Sequence, residues 1–191
     1  GQNSSDFGAA TRVYWTFKVL GHDAVTILDG GQRAWLAAGK AVSTDAVAPD
    51  AVAFNVNFRP ELLATAEDVA KARENGVALI DARPESQFKG ETKSGVVARA
   101  GAVPGAKNIS QSEFYSDQDG AFVASDVIES LVSDAGVDKD AKEITYCNTG
   151  HWASVAWFGL SEVMGNKNTA MYDGSMTEWA ADPNREMVVS E

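Results

Sequence analysis

The architecture follows from one segment, Tyr146-Cys147-Asn148-Thr149-Gly150-His151-Trp152-Ala153-Ser154, which contains the only cysteine of the 191-residue chain. A β-rich run, 142–146, precedes the cysteine, and 153–164 is a helical pattern that is apolar on nearly every face. Cys147 is therefore predicted at a strand-to-helix turn. Unpaired N–H groups and the helix dipole there favour a thiolate, with a pKa below the roughly 8.5 of a free thiol.

A lone cysteine in a reduced protein is most often a small buried apolar residue. Here the turn-forming residues Asn148, Thr149 and Gly150 follow it directly and are poor core residues, which favours a reactive nucleophile. One cysteine cannot form an internal disulfide. One cysteine and two histidines far apart in sequence do not match the ligand spacing of a zinc site, so no metal is expected.

The composition is that of an ordinary soluble globular protein, with 45% hydrophobic and 23% charged residues. Sixteen basic and 27 acidic residues give a net charge of −11, which argues against nucleic acid or an anionic membrane as a partner. No apolar run approaches the roughly 20 residues of a membrane span, and no signal-peptide pattern is visible. We expect a soluble chain, cytoplasmic or periplasmic, and the sequence leaves that choice open.

Short strands alternate with helices along the chain, which predicts an α/β fold with a mostly parallel sheet and helices on both faces. Thr65 and Asp68 form a variant of the capping box. Residues 1–8, 40–60 and 82–105 are expected to lack regular structure. The predicted helices are 9–20, 32–38, Thr65 to Glu74 and Ser125 to Ala135, and the predicted strands are 24–28, 77–81 and 107–109.

A repeat emerges when the chain is shifted against itself by 144 residues. The two copies share one order of elements: a helix, a glycine, a strand, an Asp-Gly pair and a helix with a tryptophan. This shared order predicts two homologous domains. The predicted division is 1–45 as the end of an inactive first domain, 46–60 as a linker and 61–191 as the catalytic domain. Asn3 takes the place of Cys147 in the first copy. The chain would then begin in mid-domain, and the missing N-terminal segment would come from the native protein or a companion chain. The matched pairs are Ala9/Ala153, Val19/Val163, Gly21/Gly165, Asp29/Asp173, Gly30/Gly174, Trp35/Trp179 and Ala37/Ala181.

Five motifs in order resemble those of the tandem-domain rhodaneses, the thiosulfate or 3-mercaptopyruvate sulfurtransferases. In that family only the second domain carries the cysteine, as the repeat also indicates. The motifs are Leu28-Asp29-Gly30-Gly31 with Trp35, Leu79-Ile80-Asp81-Ala82-Arg83 with Phe88 and Gly90, Val103-Pro104-Gly105-Ala106 with Asn108, the loop 147–152, and Tyr172-Asp173-Gly174 with Trp179.

The resemblance implies a two-step sulfur transfer on a rhodanese-like fold. Cys147 takes the outer sulfur of a small anionic donor and passes it from a persulfide to cyanide or a thiol, and no cofactor is needed because the persulfide carries the sulfur. The backbone N–H groups of residues 148–152 would hold the terminal sulfur. The expected donor-binding residues are Asn148, Thr149, Gly150, His151, Trp152, Arg83, Arg99 and Trp35, with Asp81 and Asp173 as structural support.

Several of these residues also fit plainer roles. Asp81 and Arg83 either order the loops around the sulfur or form a salt bridge at a strand end. Asp173 either supports the site or caps the helix after it. The loop residues His151 and Trp152 either line the mouth of the pocket, where a histidine can attract an anionic donor, or are solvated. Trp35 either closes one wall of the cleft or fills a core.

The identity of the donor is the least determined part of the resemblance. Gln87 stands where vertebrate-type enzymes place an anion-binding arginine. The loop also lacks the Cys-Gly-Ser-Gly-Val form of mercaptopyruvate enzymes and the basic residues of many thiosulfate loops. Lys89 and Lys93 lie nearby in sequence, but a solvated role suits both. Thiosulfate is the favoured donor because the mercaptopyruvate form is missing, and 3-mercaptopyruvate is the alternative.

Three other functions were weighed against sulfur transfer. A cysteine phosphatase requires Cys-x5-Arg, and the sixth residue after Cys147 is Ala153. A non-catalytic persulfide carrier or redox module that works with a protein partner remains open. Asp29-Gly30-Gly31 and the run 101–105 fit neither the dinucleotide nor the P-loop pattern, so both are interpreted as turns.

Overall fold

The computed structural model describes residues 4–116 and 118–189, and the side chains among them from Gly8 onward. The described helices are α1 (Ser4–Val19), α2 (Gly31–Ala37), α3 (Ala66–Lys71), α4 (Glu85–Phe88), α5 (Ser125–Asp134), α6 (His151–Phe158) and α7 (Ser175–Trp179). The strands are β1 (Leu63–Ala64), β2 (Ala78–Asp81), β3 (Lys107–Asn108), β4 (Glu143–Tyr146) and β5 (Thr169–Tyr172). Short 3₁₀ helices span Pro60–Leu62 and Gln111–Phe114, and a π-helical stretch, Gly159–Met164, continues α6.

The strands form one parallel sheet in the order β1-β5-β4-β2-β3, which confirms the predicted α/β class. The central strand β4 pairs with β2 so that Tyr146 lies opposite Asp81. Because parallel strands end at the same edge of a sheet, Cys147 and Arg83 emerge side by side. The topology therefore brings two of the predicted site motifs together.

Helices cover both faces of the sheet. On one face α1, α5 and α6 bury a cluster that includes Trp157, which is fully buried. On the other face α3 and α7 pack against Leu79 and Ile144 of the sheet. Residues 153–157 of α6 are all buried, as expected for a helix that is apolar on nearly every side.

The structure corrects the predicted strand at 24–28. This segment has no regular secondary structure, although Val25 and Ile27 pack on the core beside α1, and it pairs with no strand in the described part of the chain. An alternating pattern selects which side chains turn inward, whereas a strand also needs a neighbour for its backbone groups.

Other element boundaries also differ. Helix α1 begins at Ser4, so residues 4–8 are not a loop, and Asn3 lies outside the described residues. The predicted loop 82–105 contains α4. Ala124 rather than Ser125 is the N-cap of α5, and the helix after Cys147 starts at His151 rather than Ala153.

The capping box of α3 is confirmed. The Asp68 amide donates to the Thr65 hydroxyl at 3.2 Å, and the Thr65 amide donates to the Asp68 carboxylate at 2.8 Å. The structure has neither helix nor strand between residues 40 and 59. None of the helices in the described ranges is long and apolar enough to span a bilayer.

Local conformation recurs at the 144-residue spacing. Gly21 and Gly165 each follow a helix and have positive φ, 83° and 96°. Helices α2 and α7 begin at equivalent positions, Gly31 and Ser175. The division into two homologous domains stays a prediction.

Glu143 at the start of β4 makes stability depend on pH. It is 1% exposed, and burial raises the pKa of its carboxyl to about 7, although hydrogen bonds from Thr169 and Asn166 oppose the shift. The folded state thus holds a proton that the unfolded chain releases near its ordinary pKa of 4.5. The free energy of unfolding should fall as pH rises towards and through 7, by roughly 3 kcal/mol in all.

We expect Glu143→Gln to remove this slope, and the variant to exceed the wild type in stability at pH 8 by up to roughly 3 kcal/mol. Urea denaturation at pH 5, 6, 7 and 8 measures it. Glu74→Gln, at an exposed position, is the matched control and should keep the wild-type slope. Parallel pH profiles for wild type and Glu143→Gln would refute the assignment.

Candidate active site

The Cys147 side chain lies at the bottom of a tight loop between β4 and α6, and the residue is 1% exposed. The backbone N–H groups of Ala153, Thr149, Trp152 and Gly150 lie close enough to its sulfur to favour the thiolate form. Gly150, the N-cap of α6, has φ 79°, a left-handed conformation that glycine adopts without strain. The loop is thus a cradle of N–H groups that ends in a helix N-terminus, close to the predicted cradle of 148–152.

The prediction of a lowered thiol pKa is wrong for this buried sulfur. Burial raises the pKa of the Cys147 thiol above its ordinary value, and the opposing N–H groups of Ala153, Thr149, Trp152 and Gly150 do not outweigh the loss of water. The thiol form therefore dominates near neutral pH, and the thiolate fraction grows as pH increases. The N–H groups then act mainly on the anion once it has formed.

Ser175 holds the cradle together, a role that the sequence analysis missed. Its buried Oγ accepts hydrogen bonds from the Cys147 and Gly150 amides, both at 3.1 Å, and donates to the Tyr172 carbonyl at 2.9 Å. Ser175 is the non-glycine residue with positive φ, 49°, among the described residues. A strained residue at the loop indicates a site whose geometry is imposed by its surroundings. Its position directly after the Asp173-Gly174 motif is the feature of the sequence that could have drawn attention to Ser175.

The first turn of α7 also supports the loop. The amides of Met176 and Thr177, which have no partner within their own helix, donate to the carbonyl oxygens of Cys147 and Asn148 at 3.0 and 2.9 Å. The Thr177 hydroxyl adds a bond of 2.7 Å to the same Asn148 carbonyl. The loop carbonyls therefore cap α7, while the loop amides turn to the sulfur.

Ser175→Ala should leave two buried amides without their acceptor, which costs about 1–3 kcal/mol of stability. Ser175→Gly should recover roughly 1 kcal/mol of that stability, because glycine tolerates the positive φ. Thermal denaturation of both variants tests this. Wild-type stability in Ser175→Ala would show that the hydroxyl is dispensable.

Asp81 and Arg83 form a buried ion pair beside the loop. The Arg83 guanidinium donates to both carboxylate oxygens, with Nε–Oδ1 at 2.9 Å and Nη2–Oδ2 at 2.6 Å, and also to the Gly101 carbonyl at 2.9 Å. The two side chains are 1% or less exposed. Arg83 is thus not placed to bind a donor directly, which corrects its predicted role. Its charge still interacts with Cys147.

The comparisons with known proteins decide the family. A model of the rhodanese-like domain matches residues 65–182, which include the ion pair, the cysteine loop and α7. The chain belongs to the rhodanese-like domain family. A Haloferax volcanii protein provisionally named thiosulfate sulfurtransferase is 36% identical over 186 residues, which cover 94% of this chain and 64% of the relative.

Further similarities are to a sulfur carrier protein and to solved structures of an ergothioneine biosynthesis enzyme. Sulfur carrier protein TtuD of Thermus thermophilus is 30% identical over 182 residues, 89% of this chain and 63% of the relative. The chain thus spans less than two thirds of these relatives. The anaerobic ergothioneine biosynthesis enzyme of Chlorobium limicola, solved with trimethyl histidine, has a TM-score of 0.89 at 25% identity, over 96% of this chain and 46% of that one. A variant of EanB with ergothioneine has a TM-score of 0.91 at 24% identity, over 98% and 46%, which shows a common fold.

Two other predicted donor-binding residues lie elsewhere in the rhodanese-like structure. Arg99 donates to the carbonyl oxygens of Ala180, Asp182 and Arg185 at 2.7–2.9 Å, so it anchors the segment after α7 instead of facing a donor. Trp35 is 40% exposed and lines an apolar cavity of about 650 Å³ between α1 and the stretch from Val25 to the first turns of α2. The residues that line this cavity do not include the cysteine loop, so neither Arg99 nor Trp35 keeps its predicted role.

The remaining loop residues differ in exposure. Asn148 is buried, and its amide donates to the Gln87 side chain of α4 at 2.9 Å, whereas Thr149 is exposed. His151 is half-buried against Gly8 of α1. Trp152 is half-buried and packs on the core of the rhodanese-like fold.

The two lysines that follow Gln87 in sequence are already paired. Lys89 binds Glu85 at 2.7 Å, and Lys93 donates to the Val97 carbonyl at 2.9 Å. Asp173 does not cap α7, which has no side-chain cap, and instead forms an ion pair with Arg12 of α1. The sequence analysis gave Arg12 no role.

Proposed function

We propose that the protein is a sulfurtransferase that moves the outer sulfur of thiosulfate to cyanide or a thiol through a persulfide on Cys147. The observation that carries the proposal is the position of the buried Cys147 between the carboxyl end of β4 and the N-terminus of α6, where four backbone N–H groups favour the thiolate against the effect of burial. Such preorganised donors stabilise a developing anion at low reorganisation cost.

Two half-reactions balance without an added oxidant or reductant. The Cys147 thiol first loses its proton to solvent, and the thiolate attacks the outer sulfur of thiosulfate. The S–S bond of the donor breaks, and sulfite leaves with the electron pair. Cyanide then attacks the terminal sulfur of the persulfide, thiocyanate forms, and the Cys147 thiolate returns.

Two observations favour thiosulfate as the donor. The provisional names of the relatives point to it, and the loop lacks the form typical of mercaptopyruvate enzymes. Gln87, where vertebrate-type enzymes have an arginine, is neutral and bonds to Asn148. 3-Mercaptopyruvate is therefore the alternative donor.

The second candidate function is a persulfide carrier that loads one sulfur and delivers it to a protein partner. The similarity to the Thermus thermophilus sulfur carrier favours it. The acceptor in that case would be a protein thiol or another thiophilic group rather than cyanide.

Thiocyanate formation under multiple turnover separates these candidates. We expect many equivalents of product per protein with thiosulfate and cyanide. One equivalent of thiocyanate per protein, followed by a halt, indicates a carrier. Turnover with 3-mercaptopyruvate but not with thiosulfate identifies 3-mercaptopyruvate as the donor. No product and no loading with either donor would contradict sulfur transfer.

A further inference from the structure

Helix α1 contacts the cysteine loop although it lies more than 100 residues away in sequence. The Thr11 and Ser154 hydroxyls are 2.7 Å apart in a buried hydrogen bond, and Ser154 also donates to the Gly8 carbonyl at 3.3 Å. A Cβ added to Gly8 would overlap the His151 ring. The first turn of α6, which supplies part of the N–H cradle, is therefore packed directly on α1.

This packing places Arg12 across the loop at Gly150. The guanidinium forms an ion pair with Asp173 and lies over the Trp15 ring, with Cζ 5.2 Å from the ring centroid. A Cβ added to Gly150 would overlap both Arg12 Nη1 and Asp173 Oδ1. The ion pair thus closes over the backbone of Gly150, in space that only a glycine leaves open.

Both ends of this ion pair are attached to elements that shape the cradle. The Gly150 N–H donates to Ser175 Oγ at 3.1 Å and is one of the backbone groups that favour the Cys147 thiolate, and Asp173 lies two residues before Ser175. From these contacts we infer that Arg12 is a positioning residue: with Asp173 it clamps the Gly150 turn against the start of α7 and so holds the N–H cradle around Cys147. The inference deepens the proposed function.

Local charge alone is the rival explanation, and it makes an opposite prediction for one variant. The variants leave the other charged and titratable groups at this edge of the sheet unchanged: the Asp81–Arg83 pair at the end of β2, Tyr146 at the end of β4 and His151 on α6. If only charge matters, Arg12→Gln raises the pH midpoint of Cys147 alkylation, whereas Asp173→Asn lowers it. A clamp predicts a higher midpoint for both variants, because both loosen the N–H groups.

The test compares Arg12→Gln, Asp173→Asn and the double variant. We expect each single change to lower kcat by about tenfold with KM for thiosulfate within about twofold, and to raise the alkylation midpoint by roughly half a unit. The double variant should be no slower than the single ones, because both remove the same interaction. Arg12→Lys should restore part of kcat.

The matched control is Lys18→Gln, which breaks a similar ion pair, with Asp23, on the same helix away from the loop; it should leave kcat and the midpoint unchanged. A lower midpoint in Asp173→Asn, multiplying losses in the double variant, or a change in KM alone would overturn the inference. If Arg12→Gln does not fold, Asp173→Asn carries the test. If the wild type forms no thiocyanate, the proposed function fails. The pH midpoints of Cys147 alkylation in the variants then still show whether Arg12 and Asp173 position the loop.

Discussion

Replacing Cys147 by serine reduces thiocyanate formation from thiosulfate and cyanide to the uncatalysed background. Serine keeps the size of the side chain and the hydrogen bonds of the loop, but its hydroxyl is a far weaker nucleophile at neutral pH than a thiol and cannot form a persulfide. We expect a loss of at least about 10³-fold. Steady-state thiocyanate production by equal amounts of folded wild type and variant measures it.

Ser154→Ala provides a comparison within the same segment. It removes a hydroxyl that bonds to α1, and it should slow thiocyanate formation without abolishing it. Residual turnover above one hundredth of the wild-type rate in Cys147→Ser would refute Cys147 as the nucleophile.

Arg83→Met lowers the free energy of unfolding by about 3–5 kcal/mol. The change leaves the Asp81 carboxylate buried without its partner, and an unpaired charge in a protein interior is costly. Guanidinium denaturation at pH 7 measures the effect. Arg73→Met, at an exposed position, is the matched control and should stay within about 0.5 kcal/mol of the wild type.

The double variant Asp81→Asn/Arg83→Met should recover most of this loss, because it leaves no buried charge. The two residues would act independently if the double variant lost as much free energy of unfolding as Asp81→Asn and Arg83→Met lose together. Turnover of the double variant should remain low even where stability returns, since the charge of Arg83 interacts with Cys147.

Local residue choice was enough to predict the central part of the fold. Alternating strands and helices gave the parallel sheet, and the turn residues after Cys147 placed the sulfur between a strand and a helix. The capping box at Thr65 was also visible because all of its partners lie within four residues. Each of these features depends on short stretches of sequence.

Long-range partners account for the errors. Arg99 was expected to face an anionic donor, but its guanidinium bonds to carbonyls more than 80 residues away. The direction of the Cys147 pKa depends on how completely the surrounding elements exclude water from the sulfur, which no local pattern records. The same applies to Arg12, whose function arises only when α1 packs on α6. Ser175 could be noticed in sequence, but its left-handed conformation could not.

Three levels of structure meet at Cys147. The sheet brings Cys147 and the Asp81–Arg83 pair to one edge, and α7 and Ser175 fix the loop carbonyls and amides. In the proposed reaction the Cys147 sulfur is the nucleophile, the backbone N–H groups stabilise its anion, and the surrounding side chains hold the backbone in place.

The most direct measurement is the intact mass of the protein before and after thiosulfate, with Cys147→Ser in parallel. The sample is first treated with cyanide and desalted, so that any sulfur already bound is removed. The account predicts a gain of one sulfur atom in the wild type, reversed by cyanide and missing from the variant. An unchanged wild-type mass, or an equal gain in Cys147→Ser, would contradict a persulfide on Cys147.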